Sequence, residues 1–195
     1  MPTGVALRDA REQLFDAAER VLLRAGPTAL TSRAVTTEAG CAKGVLHRHF
    51  TDFDAFLVEL VRDRIARIGR QAEALRTSAG TRTVADHLTG ALTELFGSVA
   101  VAIVGLITAR DVLRARLRAD RPPGVPVLTE ATAMLASYLD AERALGRLAQ
   151  DADTGTLALT LIGSGHLLFA GHDGAAPEPG AVRRVVDSAL AGARP

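Results

Sequence analysis

An all-α fold is predicted for this chain of 195 residues by three observations. Apolar residues recur at spacings of three, four and seven along most of its length. No stretch alternates with period two for long enough to build a sheet. Gly, Pro and Ser/Thr punctuation cuts the pattern into pieces of helical length. The expected architecture is three short N-terminal helices, a long connecting helix and a larger helical body.

The first helix is expected over residues 8–25, where Leu14, Ala17, Ala18, Val21, Leu22 and Ala25 share one face. Gly26-Pro27 ends it, because Gly accepts the left-handed stop and Pro cannot continue the helix. Thr31 is placed to cap a second helix over 32–39. Gly40 permits a tight bend, and a third helix follows over 43–50. Thr51 or Asp52 then caps a long helix reaching residue 76, with Phe56, Leu57, Leu60, Val61, Ile65 and Ile68 on its apolar face. Residues 77–81 (TSAGT) form a break. Helices are expected beyond it at 82–97, 98–119, 126–145, 153–172 and 178–192, with a loop at 119–126.

Composition narrows the function classes. The chain is 48% hydrophobic and 23% charged, which fits a folded protein rather than a disordered one. A single Cys excludes an intrachain disulfide. No basic segment leads into a long apolar run at the N-terminus, and the most apolar stretch, 99–108, is too short to span a bilayer, so a cytoplasmic protein with no membrane partner is expected. Net charge is only +1, so any nucleic-acid binding must come from local placement and repeated copies of a site. No Gly-rich phosphate loop, metal-ligand spacing or nucleophile elbow is present; the expectation is a non-enzyme without metal or cofactor.

Residues 31–50, TSRAVTTEAGCAKGVLHRHF, form a capped helix, a Gly-bearing turn and a second short helix with basic residues. Lys43 is the sole lysine of the chain and stands at the head of that helix. A helix-turn-helix sets its second helix in the major groove, where base edges carry a readable donor and acceptor pattern. Gly44 lets the backbone approach DNA, and Lys43, Val45 and Leu46 lie at the leading end. Thr31, Ser32, His47 and His49 are suited to phosphate oxygens, and Arg33 to a phosphate or a guanine edge.

On these residues, positions 11–57 resemble the DNA-binding domain of the tetracycline-repressor-like (TetR) transcriptional regulators. Arg11, Ala17-Ala18, Gly26, Thr31-Ser32 and Ala39-Gly40 match that pattern. The segment from Ala42 to Phe50 stands where the family reads Ser-x-Gly-Thr-Leu-Tyr-x-His-Phe. Three departures stand out: Ala42 replaces the capping Ser, His47 replaces the Tyr, and Asp52-Phe53-Asp54 replaces Ser-Lys-Glu, so a cationic contact is absent.

The resemblance implies a helix-turn-helix DNA-binding domain over 1–55. A helical effector-binding and dimerisation domain would follow over 56–195, with the connector at about 52–76. It implies a homodimer on a palindromic operator, released by a small molecule; scarce aromatics lean towards a lipophilic one. The last two long helices would form the dimer interface. His87, Phe96, Met134, Tyr138 and His166 are candidate pocket residues, although apolar helical positions are more often core. Cys41 reads as a buried, inert thiol, and Phe50 as core; Phe53 has no evident role. Two rivals stand beside this reading: an architectural DNA binder without effector, and a ligand-binding protein that retains a vestigial helix-turn-helix.

Overall fold

The computed structural model describes residues 4–119, 124–171 and 176–193, with side chains from residue 10 onward. Ten α-helices and one 3-10 turn make up the described residues, and no strand is among them. Two compact units result: Met1–Asp63 with Ala102–Pro123, and Arg64–Val101 with Gly124–Pro195.

The first unit begins with α1 (Gly4–Ala25), which buries Leu14, Ala17, Ala18, Val21 and Leu22. Gly26 stops it at φ +74, and Pro27 opens the 3-10 turn Pro27–Ala29. Thr31 caps α2 (Ser32–Glu38): its Oγ1 accepts the Ala34 N–H at 3.1 Å, a bond of about 1 kcal/mol. At the other end of α2, Glu38 receives Arg20 and Arg24 of α1, each at 2.8 Å. These two guanidiniums hold its carboxyl below the usual carboxylate range and offset an acid placed at a helix C-terminus. Gly40, at φ +65, turns the chain towards α3 (Gly44–His49). No side chain caps α3, as the loss of Ser at position 42 leads one to expect.

Asp52 opens α4 (Phe53–Thr77), its Oδ1 accepting the Ala55 N–H at 2.6 Å. Residues Phe53 to Asp63 of α4 belong to the first unit and the remainder to the second. Four aromatic rings close the first unit's core. Phe50 lies 5.9 Å from Phe15 and 5.0 Å, edge-on, from Phe56, while Phe53 stacks on Phe56 at 5.6 Å. The Arg11 guanidinium covers Phe50 at 4.5 Å.

The single helix expected over 98–119 is two. After α5 (Val84–Phe96) come α6 (Ala100–Ala109) and α7 (Asp111–Arg118), parted at Arg110, which is extended at φ −124 and ψ 101. The break has a tertiary cause. Arg110 donates to the Leu30 carbonyl at 2.7 Å and lies over the Phe53 ring at 5.7 Å. Phe53 is thereby explained: it is half-buried between Phe56 and a guanidinium.

In the second unit, α9 (Thr154–Ala170) packs on α8 (Leu128–Ala144), α5 and α10 (Ala181–Leu190). Thr83 caps α5 and Asp153 caps α9 through bonds of 3.1 Å and 3.0 Å. The buried Glu142 carboxylate ties the α4–α5 turn to α8. Its Oε1 accepts Tyr138 Oη at 2.5 Å and the Gly80 N–H at 3.2 Å, and Arg147 lies 3.0 Å from Oε2. Burial and this carboxylate push the Tyr138 phenol well above its ordinary pKa. Residues 120–123 of the expected 119–126 loop, and residue 172 of the expected 153–172 helix, lie outside the described residues.

Candidate functional site

The third helix is six residues long, and its pitch decides what it can present. Leu46 is fully buried and Phe50 nearly so, four residues apart on one face. The opposite face therefore points outward, and Lys43, Gly44, His47 and Arg48 are exposed on it. A Cβ added to Gly44 would meet nothing within 4 Å, so this edge of the helix is open to a close partner.

This geometry changes the set of DNA contacts expected from the sequence. Leu46 leaves it: a side chain with no accessible surface holds α3 in the core and cannot touch DNA. Val45 and His49 are half-buried at the flanks of α3. Thr31 and Arg33 are exposed at the start of α2, with the Thr31 hydroxyl oxygen already serving as the cap. Ser32 is half-buried; its Oγ is shielded and has no hydrogen-bond partner among the described residues, so a χ1 rotation is needed before it can reach a phosphate. Arg48 joins the set: it follows Gly44 by four residues and so shares its face, a spacing already present in the sequence. Cys41 is half-buried rather than enclosed.

The five candidate pocket residues of the second unit do not converge. His87 and Met134 line an open cavity of about 270 Å³ bordered by α4, α5 and α8. Its wall is mixed: Gln71, Arg82, Asp86 and Glu94 face it alongside Ala74, Leu75 and Ala91. The His87 ring is held by both nitrogens, Nδ1 at 3.2 Å from Ser78 Oγ and Nε2 at 3.1 Å from Thr81 Oγ1. Tyr138 lies behind His87, with ring centroids 5.7 Å apart, and is committed to Glu142. Phe96 and His166 pair elsewhere, at 6.0 Å, where Gly165 makes room: a Cβ there would stand 2.8 Å from the Phe96 ring. Burial lowers the His166 pKa, and its Nδ1 is shielded with no partner among the described residues.

Among the described residues, no three His, Cys, Asp or Glu side chains gather to hold a metal ion, and no single helix is long and apolar enough to cross a membrane.

A capped helix, a glycine turn and a short outward-facing helix with basic residues form a helix-turn-helix within an all-α chain. Residues 14–60 match the family model described as bacterial regulatory proteins, tetR family. Solved structures share the fold over nearly the whole chain. A TetR-family transcriptional regulator from Agrobacterium tumefaciens is 13% identical at a TM-score of 0.72, covering 96% of this chain and 99% of its own. FadR of Bacillus subtilis, in complex with stearoyl-CoA, is 18% identical at 0.68, covering 93% and 98%. A gamma-butyrolactone receptor described as ArpA-like is 20% identical at 0.61, covering 96% and 89%. A search of curated protein sequences gave no match. Residues 14–60 thus match the DNA-binding domain of the tetR family, and the chain as a whole shares the fold of TetR-family structures.

Proposed function

We propose that this chain is a repressor that binds a palindromic operator as a homodimer and leaves it when a small molecule binds. The observation that carries the reading is the outward face of α3, where Lys43, His47 and Arg48 stand exposed around an open Gly44 while Leu46 and Phe50 lock the helix from behind. Lys43 and Arg48 are long enough to reach a base edge or a phosphate. Thr31, Arg33 and, after rotation, Ser32 give phosphate contacts that set register, and His47 and His49 add donors. In this proposal residues 1–55 read DNA, and residues 56–195 bind the effector and the second copy.

The effector cavity of this proposal is the one lined by His87 and Met134. Its mixed wall suits an amphiphilic molecule, with an apolar part against Ala74, Leu75 and Met134 and a polar end towards Arg82 and His87. Two proteins of like fold are described with stearoyl-CoA and as a gamma-butyrolactone receptor, which supports trying acyl and lactone compounds first. Effector coupling of this kind typically changes operator affinity about 5–150-fold. The second copy is proposed to dock on α9, where Leu159 and Leu167, 64% and 73% exposed, flank the exposed Gly163 on one face.

A footprint of the full chain on the DNA upstream of its own gene tests this reading. Two protected half-sites about 34–36 Å apart, or a multiple of that, are expected. Protection should fade on adding an acyl or lactone compound. Diffuse protection without boundaries would favour an architectural DNA binder instead.

A further inference from the structure

We propose that Arg116, on α7, is a DNA-phosphate contact of the first unit, aimed by Asp52. The inference rests on the reading of α3 as the DNA-facing helix. It starts from charge. Residues 1–63 carry eight Lys/Arg against nine Asp/Glu, so the three-helix head with the start of α4 has no net positive charge to offer a polyanion. Residues 102–123, which belong to the same compact unit, carry five Arg against two Asp. The unit's net positive charge therefore comes from a segment remote in sequence.

Not all of those arginines are available. Arg110 is spent on the Leu30 carbonyl and the Phe53 ring. Arg114 is held by Asp111 and the Thr108 carbonyl. Arg116 differs. Its Nη1 and Nη2 reach Asp52 Oδ1 and Oδ2 at 3.0 and 3.3 Å, and its side chain is still 43% exposed. Arg116 also lines an open groove of about 410 Å³ with Arg11, Arg62 and His49, and His49 is the last residue of α3. The groove thus adjoins the end of the helix read as DNA-facing.

A guanidinium has five N–H donors, and its pairing with Asp52 leaves others for a phosphodiester oxygen. The remaining groove carboxylate, Glu59, is engaged by Arg11 at 3.4 Å and Arg62 at 2.9 Å. With Glu59 and the Arg116-paired Asp52 set against Arg11, Arg62 and Arg116, the groove carries only a small net positive charge. A phosphate would therefore be held by donor geometry rather than by a broad positive field. Asp52 serves two ends at once: it caps α4 through the Ala55 N–H and fixes Arg116. The Arg116 guanidinium in turn holds the Asp52 carboxyl below the usual range and masks its charge from an approaching backbone.

The test is a salt series, ~50–200 mM, measuring binding of the full chain to a random-sequence DNA duplex. Arg116→Ala should weaken binding several-fold and lower the slope of log affinity against log salt by about one. Arg116→Lys should keep the slope and give up part of the affinity. Asp52→Asn keeps a cap and frees the guanidinium, so it should bind as tightly as wild type or more tightly. Arg118→Ala, exposed on α7 outside the groove, should leave slope and affinity unchanged, and melting curves check that each variant is folded. Wild-type affinity and slope in a folded Arg116→Ala would overturn the inference alone. Equal weakening in Arg116→Ala and Arg118→Ala, or in Asp52→Asn and Arg116→Ala, would also overturn it. A wild-type chain that binds no duplex would overturn the DNA reading and this inference with it.

Discussion

Replacing Phe50 by Ala removes the ring that fixes α3 to the rest of its unit. Phe50 is 5% exposed, 5.0 Å edge-on from Phe56, 5.9 Å from Phe15 and 4.5 Å beneath the Arg11 guanidinium. Truncating a buried Phe costs about 3–5 kcal/mol, a figure that already includes its aromatic packing. For a chain of this size each kcal/mol lowers the melting midpoint by about 2–4 °C, so a fall of roughly 6–20 °C is expected. Phe50→Leu keeps most of the apolar volume and gives up the edge-on packing and the cation–π interaction; its expected cost is about 1–1.5 kcal/mol. Thermal melts followed by far-ultraviolet circular dichroism measure both. Duplex binding, repeated near each midpoint, should disappear in step with the unfolding of α3. A Phe50→Ala midpoint within about 3 °C of wild type would refute the claim that this ring carries the helix.

Two further outcomes follow from the second unit. Burial lowers the His166 pKa below its ordinary 6.5, so the unfolded chain binds the proton more readily. Stability is then full above about pH 6.5 and falls as pH drops from there through the lowered folded pKa. His166→Gln should flatten this fall in urea midpoints measured at about pH 7.5 and 5.5; an unchanged pH dependence would contradict it. The lowered carboxylates Glu38, Asp52 and Asp86 lose their contribution only as pH falls from their ordinary values, 4.5 for Glu and 3.8 for Asp, and do not blur that window. Glu142→Gln leaves Tyr138 and Arg147 without the buried carboxylate and should cost about 3 kcal/mol. Urea unfolding followed by the fluorescence of Tyr138, the one Tyr in a chain without Trp, reads this directly; a change under about 1 kcal/mol would place the network's weight elsewhere.

The parts of the fold governed by local chemistry were legible in the sequence. The apolar faces of α1 and α4 follow helical spacing, and Thr31, Gly26, Gly40 and Asp52 sit where caps and turns need them. What was not legible depends on distant partners. Nothing local in residues 98–119 marks Arg110 as a break; it is extended because Leu30 and Phe53, far back in the chain, take its side chain. For the same reason no local signal assigns α7 to the first unit, or shows that Asp52, beside the missing cationic contact, pairs with Arg116. Leu46 is a different case. Its four-residue spacing from Phe50 predicts a shared buried face, and following that spacing would have replaced it with Arg48. The pocket candidates scattered because an apolar helical position does not reveal whether its neighbour is another helix or a cavity.

Central to the account is the outward face of α3 as the DNA-reading surface, and Lys43 is its most direct probe. The measurement is the affinity of folded Lys43→Ala for the footprinted duplex, taken across the same salt range as wild type. A roughly 10-fold weaker complex is expected, with a salt slope lower by about 0.9 for each phosphate that the lysine neutralises and an unaltered melting curve. Wild-type affinity and slope in the folded variant would contradict it.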